Sequence, residues 1–129
     1  MTTDAAMLAY AVALAWLMIM TAAMLRTNGS VALMLGNRDD LPPASPIAER
    51  ADRAARNMLE NLVLFIGAYL AAKSAGATSW HVVRGAQVFV GARVAYFVLY
   101  LAGVKGLRTL AWLVGVAGTA LEVAGALAA

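Results

Sequence analysis

Apolar residues along this chain gather into four runs, Ala5 to Leu25, Ile47 to Ala75, Trp80 to Ala102 and Leu107 to Ala128. A hydrocarbon core about 30 Å thick is crossed by about 20 residues of helix. The pattern therefore predicts an all-α protein, an integral membrane four-helix bundle, with residues 1–129 forming a single domain. The first run is apolar on every side, and its methionines read as flexible packing. The second begins polar, from Glu49 to Asn61, and turns apolar only at Leu62, so its helix should protrude past the hydrocarbon at one end. The long connection "TNGSVALMLGNRDDLPPASP" before it is dense in turn residues. Within it, "VALMLGN" reads either as a short continuation of the first helix or as an interfacial turn. Ser45 followed by Pro46 suits a helix start, and Gly76 suits a helix stop.

Composition agrees with the pattern: 63% of residues are hydrophobic and 13% charged, with a mean hydropathy of +0.76, where a soluble domain carries roughly 25% charge. The placement of charge adds an orientation. Arg26, Arg38, Arg50, Arg53 and Arg56 fall between the first run and the apolar part of the second, and Lys105 and Arg108 at the turn between the last two; the middle connection has only Lys73 and Arg84 near it. By the positive-inside rule the first and third loops face the cytoplasm and both termini lie on the opposite side, as in a bacterial inner-membrane protein. Acids interleave with these bases next to the membrane entry points, so no nucleic-acid partner is expected. The N-terminal "MTTDAAMLAY" has no Lys or Arg, so the first helix is expected to stay rather than be cleaved as a leader. With no cysteine and a single histidine, His81, the chain offers neither a thiol nucleophile nor a metal site of its own. Thiol chemistry here would need a ligand's thiol.

Ionisable groups inside a membrane cost roughly 2.5 to 3.5 kcal/mol each at mid-span and call for a reason. On a helical projection Arg50, Arg53, Asn57, Glu60 and Asn61 fall within an arc of about 100°. In the third run Arg93, Tyr96 and Tyr100 share a face at i, i+3 and i+7, and the fourth opens with Arg108, one turn before Trp112. One reading is a structural seam in which Arg93 pairs with Glu60. Another follows from the surplus of Arg53, Arg93 and Arg108 over Glu60, which calls for an anion; arginine forks and amides suit a ligand with carboxylates. Elsewhere the expectations are plainer. Glu122 reads as an interfacial residue or a subunit contact, Gln87 as a bond to a neighbouring helix, and the glycines of the last two runs as close-packing positions.

The same residues carry a resemblance. "ERADRAARNMLEN" fits the pattern E-R-x-x-R-A-x-x-N-x-x-E-N of the MAPEG proteins, the membrane-associated proteins in eicosanoid and glutathione metabolism. "ARVAYFVLY" and then "RTLAWLVG" resemble that family's third helix and the arginine before its fourth. The resemblance implies a homotrimer with glutathione, as co-substrate, between neighbouring subunits near the cytoplasmic face. It implies glutathione-binding roles for Arg53, Asn57, Glu60, Arg93, Tyr96, Tyr100 and Arg26, and a sulfur-facing, activating role for Arg108. Asn61 stands where the leukotriene-forming members have a tyrosine. The expected function is thus a membrane-bound glutathione transferase, with possible peroxidase chemistry, acting on a lipophilic small molecule from the surrounding lipid. The alternatives are a non-catalytic membrane protein that binds lipid or thiol, and a structural subunit of a membrane complex.

Overall fold

The computed structural model describes residues 1–129 as five helices: α1 (Thr3–Arg26), α2 (Val31–Leu35), α3 (Pro46–Ser74), α4 (Trp80–Ala102) and α5 (Lys105–Leu127). The sequence pattern places the long helices to within a few residues. Ser45 caps α3 as expected, its side chain accepting from the Ala48 N–H at 3.2 Å with Pro46 in the first turn. Gly76, at φ +73, follows the end of α3. The "VALMLGN" stretch is a separate short helix, split from α1 by the Asn28–Gly29 turn, where both residues have positive φ.

Helices α1, α4 and α5 are each long and apolar enough to cross a membrane. The expected fourth span, α3, has 29 residues and so reaches about 43 Å, but its charges crowd the first half. The longest stretch free of them is Asn61 to Ala72, which is why it falls short of the other three on composition.

Small residues decide how the helices meet. Ala11 and Ala15 of α1 and Ala51, Ala54 and Ala55 of α3 are buried in one cluster, where short side chains let helix backbones approach. Phe65 of α3 stacks on Phe89 of α4 with ring centroids 4.2 Å apart, an aromatic contact of about 0.5–1.5 kcal/mol beyond its burial. The closest crossing is between α4 and α5. A Cβ on Gly118 would lie 2.7 Å from the Gly85 carbonyl oxygen and 2.7 Å from the Phe89 nitrogen, and one on Gly85 would lie 2.6 Å from the Gly118 carbonyl oxygen. Neither position accepts a side chain without parting the helices.

Two sequence expectations fail at this crossing. Glu122 is no interfacial residue: it is 0% exposed, packed against Gly85, with neither carboxylate oxygen hydrogen-bonded. The glycine pair draws α4 and α5 so close that the turn bearing Glu122 is sealed. Gln87 does not bond a neighbouring helix, because its Oε1 accepts from Arg84 of the same helix at 3.0 Å. At the same end of the molecule Lys73 donates to the buried Asp4 carboxylate at 2.9 Å.

Candidate functional site

The opposite end of the helices gathers the cations. Gly103, at φ +77, caps α4 in the left-handed conformation, and α5 starts two residues later at Lys105. So short a turn folds the first turn of α5 back beside the last turn of α4 and sets Arg108 next to Tyr100. Arg50 holds this corner: its Nε and Nη2 donate to the Leu101 carbonyl at 3.2 and 3.1 Å, satisfying an acceptor that the end of α4 leaves without an intrahelical partner. The sequence put Arg50 on the polar face of α3; its work there is to tie α3 to the end of α4.

Beyond Arg50 along α3, the polar face meets α4. Arg93 is 1% exposed. Its Nη2 donates to the Asn57 Oδ1 at 2.9 Å, and its guanidinium lies 4.1 Å from the centre of the Tyr96 ring. Its Nε and Nη1 have no hydrogen-bond partner. Asn57 is held in turn by Asn61, whose Nδ2 donates to the Asn57 carbonyl at 2.9 Å and to Oδ1 at 3.3 Å. Tyr96 and Tyr100 are 5.3 Å apart, ring centre to ring centre. Arg53 Nε donates to the Tyr100 hydroxyl at 3.3 Å, while the Arg108 guanidinium lies 4.4 Å from the centre of that ring. One tyrosine thus has a guanidinium at its hydroxyl and another against its ring.

Carboxylates are scarce in this group. Glu49 approaches Arg53 at 3.8 Å, with both side chains more than half exposed, a contact of little energetic weight. Glu60 forms no ion pair, so the structural seam between Arg93 and Glu60 does not exist; Arg93 is met by a neutral amide instead. A buried guanidinium with two free donors and no counter-charge is costly by itself. Beside Arg53 and Arg108 it forms a cationic, hydrogen-bonding cluster whose donors have the chemistry that carboxylates accept from.

The structure therefore brings together Arg53, Asn57, Arg93, Tyr96, Tyr100 and Arg108. It leaves Glu60 exposed on the same helix without a partner. Arg26 stands apart from them, at the end of α1, where its Nη1 donates to the Pro42 carbonyl. Asn61, set aside in the sequence reading, is part of the network, since the amide of Asn57 depends on it for orientation. It also lines an open, largely apolar groove of about 390 Å³ between α3 and α5, with Leu64, Gly67 and Val116 among its walls. The hydrogen-bond network that orients Asn57 and an apolar groove thus share a residue.

A family model described as the MAPEG family matches residues 5–128 of the chain. No curated protein matches it.

Proposed function

The chain belongs to the MAPEG family, and from that premise we propose that it is a membrane-embedded glutathione transferase, with capacity for peroxidase chemistry on lipophilic hydroperoxides. In this reading all four long helices span the membrane with the first and third loops cytoplasmic. Three subunits assemble with a glutathione site at each boundary. The observation that carries the reading is the buried Arg93, with two unpartnered donors, beside Asn57, Arg53 and Arg108 and without a facing carboxylate.

Glutathione supplies the nucleophilic sulfur and two carboxylates. Arg53 and Arg93 hold carboxylates, Asn57 bonds a peptide group, and the free carboxylate of Glu60 takes the amine. The phenols of Tyr96 and Tyr100 frame the backbone of the tripeptide. Arg26, outside this cluster, contributes from a neighbouring subunit. Arg108 is the activating residue: it has no ion-pair partner, so its charge is available to a thiolate. Lowering a thiol pKa from about 8.5 to about 6.5 requires about 2.7 kcal/mol, within the roughly 4 kcal/mol that a unit charge supplies at 4 Å with an effective dielectric constant near 20. With an electrophilic carbon, a carbon–sulfur bond forms while the leaving group departs with its electron pair. With a hydroperoxide, the thiolate sulfur takes the terminal hydroxyl as the O–O bond breaks, leaving a sulfenic acid and an alkoxide that is protonated to the alcohol; a second glutathione thiol then condenses with the sulfenic acid, releasing water and the disulfide. The apolar groove beside Asn61 gives a lipophilic co-substrate a route to the niche.

The contact of Arg108 with the Tyr100 ring favours a second reading, a protein that binds the thiol without turning it over, with Arg108 retained for packing. Conjugation of glutathione to an aryl halide by purified protein, compared with Arg108→Ala, separates the two. The enzyme reading expects kcat/KM to fall about 100-fold, the equivalent of about 2.7 kcal/mol. Turnover equal to the uncatalysed rate in the parent rejects catalysis. Cross-linking in native membranes that stops at dimers rejects the trimer.

A further inference from the structure

Glu122 is the buried acid that nothing in the fold pairs. Both of its oxygens are sealed from solvent without a hydrogen-bond partner, whereas Asp4, the other buried acid, accepts from Lys73. Its place is set by the glycines of α5. A Cβ on Gly125 would lie 3.0 Å from Val82 Cγ2, one on Gly118 2.7 Å from the Phe89 nitrogen, and one on Gly115 3.5 Å from Arg93 Cδ. α5 thus lies along α4 over a continuous row of contacts that runs from Val82 to Arg93. Glu122 sits in that row between Gly118 and Gly125, its Cγ 2.9 Å from where a Cβ on Gly85 would stand.

The ionisable groups on the surrounding helices supply no counter-charge. On α1, Asp4 has the same sign, and its field reaches Glu122. On α3, Lys73 is committed to Asp4 at 2.9 Å, with the Tyr69 ring 5.9 Å from its ammonium. On α4, Arg84 donates to Gln87 at the surface, and His81 packs its Cβ toward Gly125 with its ring against Trp80. α5 itself has no other acid or base after Arg108 except the exposed chain terminus. A carboxylate in such a place would be a bare charge taken out of water, which is far more costly than a neutral carboxylic acid. Inside a membrane-spanning helix that cost calls for a reason.

We infer that Glu122 is a proton-binding site: its carboxyl carries a proton in the folded protein, and that proton keeps α4 and α5 closed on each other. Release of the proton leaves a charge against the Gly85 turn, so the helices must part to admit water or a counter-ion. The row of glycine contacts continues to Gly115 and the Arg93 stem. Parting of the crossing therefore loosens the side chain that Asn57 holds, and the far end of the bundle is coupled to the cationic end.

The test is the infrared difference spectrum of purified parent and Glu122→Gln at neutral pH, with Glu122→Met as a second neutral reference. A glutamate in water loses its proton near pH 4.3, a value good to about a unit, so the carbonyl stretch of a protonated carboxyl survives at neutral pH only in a shielded acid. The parent should show that band and both variants should lack it; a parent without the band overturns the proton site. Thermal unfolding of the same samples from mildly acidic to neutral pH reads what the proton does. The folded parent holds a proton that the unfolded chain has released, so its stability falls as pH rises. Relative to Glu122→Gln, its folding equilibrium constant should drop about tenfold per pH unit, and parallel profiles overturn the linkage. Hydrogen exchange at one alkaline pH locates the effect. Peptides spanning Phe89 and Gly118 should exchange faster in the parent than in Glu122→Gln, and equal exchange there overturns the closing role. None of these readouts involves glutathione or Arg108, so this inference and the proposed function fail separately.

Discussion

Replacing Asn57 with aspartate separates a structural cluster from a ligand site. The carboxylate would take the place of the amide oxygen that now accepts from Arg93 Nη2 at 2.9 Å, giving the buried guanidinium the counter-charge it lacks. At about 4 Å and an effective dielectric constant near 20, two unit charges interact by about 4 kcal/mol. Desolvation of the new carboxylate reduces this, leaving about 2–3 kcal/mol of pairing. A carboxylate ligand competing for Arg93 would lose a comparable amount, so glutathione affinity should fall about 30- to 150-fold, while the thermal midpoint stays level or rises. Calorimetric titration and thermal unfolding of the same detergent-solubilised samples provide both readouts. A more stable variant that binds glutathione as well as the parent would refute the assignment and leave Arg93 as a packing residue.

Three further outcomes follow from packing and hydrogen bonding. Arg50→Ala removes two charge-assisted hydrogen bonds from the Leu101 carbonyl and should cost about 1.5–3 kcal/mol, read as a lowered thermal midpoint; an unchanged midpoint would mean that water replaces the guanidinium at no cost. Gly118→Ala forces a methyl to within 2.7 Å of backbone atoms of α4 and should cost about 1–3 kcal/mol or more through separation of α4 and α5, seen as poor yield and early unfolding. A variant with parental stability would contradict the close crossing. Glu122→Gln replaces a buried ionisable side chain with no hydrogen-bond partner by a neutral one of the same size and should leave the thermal midpoint unchanged or raised, whereas a clear drop would reveal a partner for the carboxyl group.

Much of this architecture is legible in the sequence because it depends on local chemistry. Ser45 and Pro46 mark the start of α3 through capping and fixed φ. The spacing of Arg93, Tyr96 and Tyr100 places them on one face through helical periodicity alone. The motif around Arg53, Asn57 and Glu60 supplies the resemblance that the family match supports. Partner choice is not legible, because it depends on how far each helix rotates against its neighbour. Arg50 and Arg53 share an arc on α3, yet Arg50 reaches a terminal carbonyl of α4 while Arg53 reaches a phenol. Arg93 finds Asn57 rather than Glu60, although the sequence places both on the same polar face of α3. Glu122 shows the limit most clearly. A lone acid near a helix end reads as exposed, and only the three-dimensional meeting of Gly85 with Gly118 shows that its turn is sealed.

Activation of a bound thiol by Arg108 is tested most directly by the ultraviolet difference spectrum for thiolate on mixing glutathione with purified protein at neutral pH, with Arg108→Ala measured beside it. A thiol held at a pKa near 6.5 is about three-quarters ionised at pH 7, against a few per cent at about 8.5. The parent should show a strong thiolate band that the variant loses. A band of equal size in both proteins, or glutathione bound to the parent without any band, would contradict the role assigned to Arg108.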